Sequence, residues 1–140
     1  PKKAVPEKST AMLLIIDDDQ ILLEQRPDKG IWGGLLSLPE MDAALESGNA
    51  DFDVALMRAT AAFGVPASVE KLTEFSHTFT HFKLHITPYR ISLTHRLQIA
   101  GQSSHNWYPL HRMAVAPLPA PIKKLLLAFV REPDLLSDVL

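Results

Sequence analysis

The fold is decided by the stretch Met12-Leu13-Leu14-Ile15-Ile16-Asp17-Asp18-Asp19-Gln20-Ile21-Leu22-Leu23-Glu24-Gln25. Two apolar runs of the kind found in β-strands, 12–16 and 21–25, flank the polar cluster 17–20, which has the length of a hairpin turn. The stretch therefore predicts a β-hairpin. Proline and glycine break the ladder immediately after it, because Pro27 has no N–H to donate and Gly30 tolerates a positive φ.

Beyond this loop, a short strand and then a helix are predicted. Residues 35–38 can form one strand, which Pro39 ends. A single helical stripe follows, made by the apolar residues Phe52, Ala55, Leu56, Ala59, Ala62 and Phe63. Asp51 is the predicted N-cap of this helix and Gly64 its C′ residue. The spacing therefore predicts a helix over 51–63.

The second half of the chain shows strand patterns and one more helix. Residues 69–75 and 82–93 are predicted strands, and the alternation in the second slips by one residue at Pro88, which predicts a bulge or an edge position there. Residues 105–108 form a short strand candidate. A second amphipathic helix carries Ile122, Leu125, Leu126 and Phe129, begins near Pro121 and ends at Pro133. This order predicts an α+β fold with a mixed or antiparallel sheet, an internal helix and a C-terminal helix.

Length and composition limit the possible classes. The 140 residues, 46% of them hydrophobic, suffice for one core, which we assign to a domain at 10–132 between a linker at 1–9 and a tail at 133–140. The chain contains no cysteine, which excludes disulfides and thiolate metal sites within it. Its net charge of −2 lacks the basic excess of a domain that binds nucleic acid alone. The longest apolar run, 11–16, is too short to span a membrane.

The segment Gly34-Leu35-Leu36-Ser37-Leu38-Pro39-Glu40, followed by a helix ending in Phe63-Gly64-Val65, resembles the Nudix box of pyrophosphohydrolases. Laid on that pattern, Met57-Arg58 and Ala61-Ala62 fall where the family has its Arg-Glu and metal-binding Glu pairs. Alanine offers no oxygen to Mg²⁺, so we expect a Nudix-like fold without Nudix chemistry, with no catalytic residue and no metal site.

Three histidines have the four-residue spacing of a helical metal site: His77, His81 and His85. The surrounding β-branched and aromatic residues instead predict strand, turn and strand, with His85 solvated on a strand face. The cations Arg26, Lys29, Arg58, Lys123 and Lys124 are expected to be isolated solvated charges. Trp32 and Trp107 are predicted core or lid residues.

Several motifs taken together resemble the C-terminal domain of the MutY-type adenine DNA glycosylases. They are Val5-Pro6-Glu7-Lys8, Leu22-Leu23-Glu24-Gln25-Arg26-Pro27, Gly30-Ile31-Trp32-Gly33-Gly34-Leu35 and His77-Thr78-Phe79-Thr80-His81-Phe82. The resemblance covers the chain from its start to about Leu127. It implies that this Nudix-like domain recognises 8-oxoguanine opposite adenine, and that a separate N-terminal domain holding a 4Fe–4S cluster removes the adenine.

The resemblance places the family's base-reading Phe-Ser-His loop on Phe79, Thr80 and His81, with Ser76 and His77 as further candidates. Thr80 keeps the hydroxyl of the family's serine. A hydroxyl can accept a hydrogen bond from N7–H of 8-oxoguanine, whereas normal guanine has only acceptors at that edge. Phe79 could pack beside the base or shape the loop, and His81 could reach a phosphate or brace the loop.

The same resemblance implies the partners and the location. They are duplex DNA with 8-oxoguanine opposite adenine and the chain's own N-terminal catalytic domain, in a monomeric, bacterial-type protein that is cytoplasmic and nucleoid-associated. The fragment itself is expected to hold no cofactor and to have no glycosylase activity. Two alternatives remain: an active Nudix hydrolase of oxidised nucleotides, and a non-catalytic protein-interaction module.

Overall fold

The structure is a computed structural model that describes residues 5–42, 50–97 and 104–131. Within these ranges it has eight strands, two α-helices and one 3-10 helix. In chain order they are β1 Glu7–Asp17, β2 Gln20–Gln25, β3 Leu36–Ser37, β4 Glu40–Asp42, α1 Ala50–Ala61, β5 Gly64–Lys71, β6 Phe75–Thr78, β7 Lys83–Arg96, β8 His105–Pro109, the 3-10 helix Leu110–Val115 and α2 Ala120–Arg131.

All eight strands belong to one mixed sheet. Its main order is β3-β2-β1-β7-β5, while β4 pairs with β1, β6 with β7 and β8 with β2. β1 runs parallel to β7, and the remaining pairs are antiparallel. The predicted α+β fold with a mixed sheet, an internal helix and a C-terminal helix is confirmed.

The predicted hairpin is formed by β1 and β2. Ile16 pairs with Ile21 and Asp17 with Gln20, and Asp18 makes the turn with a φ of 56°. β1 begins earlier than expected, since Glu7 to Ser9, within the predicted linker, pair with the start of β7. These three residues are exposed, and an apolar pattern reports only the buried part of a strand.

The sheet buries side chains on both faces, which explains why residues 11–16 of β1 are continuously apolar. Met12, Leu14 and Ile16 belong to one core cluster, together with residues of α2 such as Leu126. Ala11, Leu13 and Ile15 belong to the other cluster, which includes Leu56 of α1. A strand covered on both faces is expected to be a continuous hydrophobic run rather than an alternating one.

At Pro88 the buried apolar side chains of β7 switch from one face of the sheet to the other. Leu84 and Ile86 lie in the α2-side core, whereas Tyr89 and Ile91 lie in the α1-side core, which confirms the slip in phase. The expected bulge or edge position is wrong, because Pro88 pairs in regular register with Met12 in the interior of the sheet.

Pro88, which has no N–H, lies opposite the gap between β5 and β6. β5 ends at Lys71 and β6 starts at Phe75, and between them the Leu72 N–H donates to the Pro88 carbonyl at 2.8 Å. The N–H and C=O of one residue point to the same neighbouring strand. The Pro88 nitrogen therefore also faces the gap between β5 and β6, where no strand partner needs its hydrogen bond. For the same reason the predicted strand 69–75 is two strands.

The α1 helix is confirmed, but its predicted ends are not. Asp51 lies inside the helix, which begins at Ala50, so it is not the N-cap. Gly64 is the first residue of β5 rather than a C′ residue. A Cβ at Gly64 would lie 2.5 Å from the carbonyl oxygen of His95, so glycine is required there by close strand packing.

The remaining predicted elements are β8 and α2, and both are present. Pro121 is the second residue of α2, where its missing N–H has no helical partner to lose. The predicted end at Pro133 and the tail 133–140 lie outside the described residues. None of the helices in the described ranges is long and apolar enough to cross a membrane.

Candidate functional site

The turn between β6 and β7 (residues 79–82, hereafter the β6–β7 turn) holds the three main candidate residues. Thr78 and Lys83 form the last strand pair, and the Phe79 N–H donates to the Phe82 carbonyl at 2.7 Å. Thr80 and His81 lie at the tip, and both are exposed. The turn therefore presents a hydroxyl and an imidazole to solvent.

The ring of Phe79 is held from behind by other aromatic rings. It stacks on Phe82 with centroids 4.7 Å apart and meets His77 edge-on at 4.7 Å. The indole of Trp32 lies 5.4 Å away, tilted by 53°. Phe79, Phe82 and Trp32 also pack against the α2-side core. Phe79 is thus an anchor of the turn, with Thr80 as the next residue along the chain.

The cation of Lys8 completes this aromatic group. Its Nζ lies 4.6 Å from the centroid of the Phe82 ring, within the range of a cation–π interaction. Lys8 belongs to β1, so the group combines residues from β1, from β6 and the β6–β7 turn, and from the loop before β3.

Trp32 comes from the loop over residues 27–34, hereafter the glycine loop. Trp32 is one of two non-glycine residues with positive φ in the described ranges, at 57°. The Gly34 N–H donates to the Pro27 carbonyl at 3.1 Å, which closes the loop. The loop winds so tightly that a Cβ at Gly33 would lie 2.2 Å from the carbonyl oxygen of Asp28.

The two lesser candidates, Ser76 and His77, lie on β6 below the turn. Ser76 is exposed and His77 half-buried, and both line a groove of about 590 Å³ between β6 and α2. Lys124 of α2 and Glu74 before β6 also line it. Phe79, Thr80 and His81 do not line this groove.

A histidine between two glutamates ties the base of the turn to the start of β1. His85 Nε2 lies 2.5 Å from Glu7 Oε1, and Nδ1 lies 3.5 Å from Glu74 Oε2. His85 lies on a strand as predicted, but it is half-buried and paired rather than simply solvated. The hydrogen bond and the charge of His85 lower the pKa of Glu7, with a smaller effect from Lys83.

The three predicted strand-and-turn histidines do not form a metal site. His77 lies on β6, His81 at the turn and His85 on β7, where it pairs with Ser76. In the part of the chain that the structure describes, no group of three or more His, Asp, Glu or Cys could hold a metal ion.

The outward side of α1 is where the sequence comparison expects Nudix chemistry. Val54 and Met57 are each 49% exposed there, beside Arg58, Ala61 and Pro66. Together with Asp53 these residues line a shallow depression of about 460 Å³, and we call the six the α1 face. Asp53 is the one carboxylate among them, whereas a divalent cation requires several oxygen ligands.

Glu40, which ends the Nudix-like segment, is engaged elsewhere. One carboxylate oxygen accepts from Arg26 Nη1 at 2.7 Å, and the other accepts from Thr10 Oγ1 at 2.9 Å. The expectation that Arg26 is an isolated solvated charge is therefore wrong. Glu40 joins the loop after β2 to β1 and acts as a structural group.

The sequence alone does not indicate that Trp32 and Lys8 contact the turn. Trp32 is predicted to be a core or lid residue, and its packing on the α2-side core agrees with the core alternative. The glycines on either side of Trp32 are the only signal in the sequence that the loop is tightly wound. Nothing local in Lys8 indicates that it lies over Phe82.

Comparison with known proteins gives one family. The family model described as "NUDIX domain" matches residues 11–128. A curated relative, the "Adenine DNA glycosylase" of Buchnera aphidicola subsp. Schizaphis graminum, is 26% identical over 129 residues. The match covers 91% of this chain and 35% of the relative, so the chain spans about a third of that protein's length.

Solved structures share the fold. The C-terminal domain of mouse MUTYH, in its complex with human PCNA, has a TM-score of 0.69 at 21% identity, with 89% of this chain and 88% of that chain covered. The MutT protein of Methanosarcina mazei Go1 has a TM-score of 0.66 at 16% identity, with 94% and 99% covered. The chain belongs to the NUDIX domain family, and within it resembles the C-terminal domain of the adenine DNA glycosylases.

Proposed function

We propose that the chain is the 8-oxoguanine-recognition domain of a longer adenine DNA glycosylase. Another domain of that enzyme, with its 4Fe–4S cluster, excises the opposing adenine, while this domain holds the damaged strand. One observation carries the proposal: the β6–β7 turn exposes the Thr80 hydroxyl at its tip and is anchored from behind by packed rings. The similarity to adenine DNA glycosylases over 91% of the chain supports it.

The chemistry of Thr80 suits the oxidised base. Its oxygen accepts from N7–H of 8-oxoguanine, and its own proton serves O6. In normal guanine N7 carries no hydrogen, so the oxygen loses its donor. A hydrogen-bonding pair of this kind discriminates by about 1 kcal/mol at the low end of the usual range, which corresponds to a preference of roughly fivefold.

The charge of the chain agrees with a domain that reads a base rather than one that captures DNA. At a net charge of −2, phosphate contacts contribute little to its affinity, so the other domain supplies most of the binding. Phe79 serves as the anchor of the turn, because its ring is already occupied by Trp32, His77 and Phe82. The exposed His81 is free to approach the DNA backbone.

Fluorescence anisotropy at low salt tests the proposal with two labelled duplexes that differ only in 8-oxoguanine or guanine opposite adenine. Thr80→Val keeps the shape of the side chain and removes the hydroxyl, so it lowers the preference about fivefold. Thr80→Ser retains the preference. Thr94→Val, at an exposed position near the other end of β7, serves as the matched control. Equal preference in the unsubstituted chain and Thr80→Val would contradict the role of Thr80.

The alternative functions predict other outcomes. An active hydrolase of oxidised nucleotides turns over 8-oxo-dGTP with Mg²⁺, and we expect no turnover because the single carboxylate of the α1 face, Asp53, offers too few oxygen ligands to hold the metal. A protein-interaction module predicts equal affinity for the two duplexes. Either result, turnover or equal affinity of the unsubstituted chain, would replace the present proposal.

A further inference from the structure

We propose that Trp32 is a positioning residue for base recognition, which fixes the β6–β7 turn so that the Thr80 hydroxyl meets the base in one orientation. This inference rests on the proposed function and deepens it. Trp32 acts through Phe79 and His77 rather than by touching the base. The glycine loop, which lies 45 or more residues before the turn in the sequence, thereby becomes part of the recognition site.

The backbone of Trp32 is held in a conformation that a tryptophan rarely adopts. A φ of 57° strains the backbone of a non-glycine residue, and such conformations persist only where the surroundings determine them. The Leu35 N–H donates to the Trp32 carbonyl at 3.1 Å, and Gly33 packs directly on the Asp28 carbonyl. The glycine loop therefore fixes the direction in which the Cα–Cβ bond of Trp32 leaves the backbone.

The indole is the direct connection between the glycine loop and the β6–β7 turn. Its centroid lies 5.4 Å from that of Phe79 and 6.1 Å from that of His77. Among the described residues, no backbone hydrogen bond joins 27–34 to 79–82. The sheet sets the overall distance between turn and loop, and the direct contact between them is ring packing, in which aromatic pairs favour a limited set of geometries.

The contact between Trp32 and Phe79 limits the positions that the Phe79 ring can take. Phe79 is bounded by Phe82 on one face and by His77 and Trp32 on other sides, so its ring has few alternative positions. Removing the indole leaves one side open and lets the ring rotate. Thr80 follows directly in the chain, and a recognition contact requires placement within about 0.5 Å.

A double-mutant cycle tests this role in the full 140-residue chain. Trp32→Ala lowers the preference for 8-oxoguanine over guanine about fivefold, as Thr80→Val does, with little change in affinity for the guanine duplex. The double variant shows no further loss, because both changes remove the same contact. Trp32→Phe restores most of the preference. Trp107→Phe, which alters an indole packed on the α1-side core, is the matched control.

The outcomes separate the two proposals. If Thr80→Val lowers the preference and Trp32→Ala does not, the positioning role is overturned and the proposed function stands. The positioning role is also overturned if Trp32→Ala causes the same loss in the Thr80→Val background. A second measurement needs no DNA: in the free chain, Trp32→Ala shifts the amide resonances of Thr80 and His81, whereas Trp107→Phe leaves them in place. Unshifted resonances would overturn the inference whether or not Thr80 reads the base.

Discussion

Two surfaces of the domain, the α1 face and the β6–β7 turn, differ in how their exposed residues are supported. The α1 face shows Val54 and Met57 to solvent, each half-exposed, around a shallow depression. The turn shows two polar side chains to solvent and anchors them with rings that reach the α2-side core. The first surface is mainly apolar and carries the charged groups of Asp53 and Arg58, whereas the second presents polar groups that packed rings hold in place.

This difference separates the fold from its chemistry. In a Nudix hydrolase the internal helix supplies the carboxylates, yet here that helix packs Leu56 into the core and presents a single carboxylate, Asp53, in its outward depression. The groups capable of recognition lie on a hairpin at the far side of β7. The same fold can therefore keep its core while the site proposed here for base recognition lies on another element.

We expect the largest effect on stability from a substitution in the glycine loop, which supports the β6–β7 turn. Gly33→Ala places a Cβ 2.2 Å from the Asp28 carbonyl oxygen, so the loop must open, and we expect a loss of about 3 kcal/mol in the free energy of unfolding. Gly30→Ala is the matched control, since a Cβ there meets nothing within 4 Å and only the φ of 96° is unfavourable. Its expected cost is about 1 kcal/mol.

Urea denaturation of both variants gives these values. If Gly33→Ala costs no more than Gly30→Ala, the loop is not as tightly wound as the structure shows, and its influence on the turn must be abandoned.

A second pair of variants compares the two surfaces directly. Phe79→Ala removes a half-buried ring with three aromatic neighbours, and we expect it to lower the free energy of unfolding by about 2 kcal/mol. Met57→Ala on the α1 face removes an exposed side chain, with an expected change within about 0.5 kcal/mol. Thermal unfolding followed by circular dichroism measures both. Equal costs at the two positions would mean that the turn is no better anchored than the α1 face.

The smallest expected effect is the pH dependence of stability contributed by Glu7. The carboxylate of Glu7 is stabilised by His85, so its pKa in the folded chain lies below the ordinary 4.5. Its contribution to stability is therefore complete above pH 4.5 and is lost as the pH falls through the lowered folded-state pKa. We expect the difference in unfolding free energy between the unsubstituted chain and Glu7→Gln to shrink over that acid range.

Urea denaturation at a series of pH values checks this sign. In a His85→Gln background the Glu7 substitution should have a smaller effect at every pH. A difference that grows towards acid would assign the opposite role to the Glu7–His85 pair.

Local patterns predicted the elements well, because hairpins and amphipathic helices depend on neighbours in the sequence. The β1–β2 turn and α2 follow from periodicity alone. The phase slip at Pro88 was visible too, but its cause was not, since a gap in the neighbouring edge depends on where β5 and β6 end. The parallel pairing of Glu7 with Lys83 likewise joins residues far apart in the chain.

The site was predictable only in part for the same reason. Resemblance to a family indicated Thr80, and the structure places it at an exposed tip. The ring contacts of Trp32, the position of Lys8 over Phe82 and the two glutamates around His85 are tertiary contacts between separate elements. No spacing in the sequence reports them.

The interruption opposite Pro88 also bears on how the protein avoids aggregation. β7 covers residues 83–96, and a single strand paired along its whole length would present an equally long unpaired edge to solvent. Instead, that edge is divided between β5 and β6, and β5 carries register shifts around Pro66. Short and irregular edges are poor templates for a strand from another molecule. This edge of the sheet thus offers a neighbouring chain little regular backbone with which to pair.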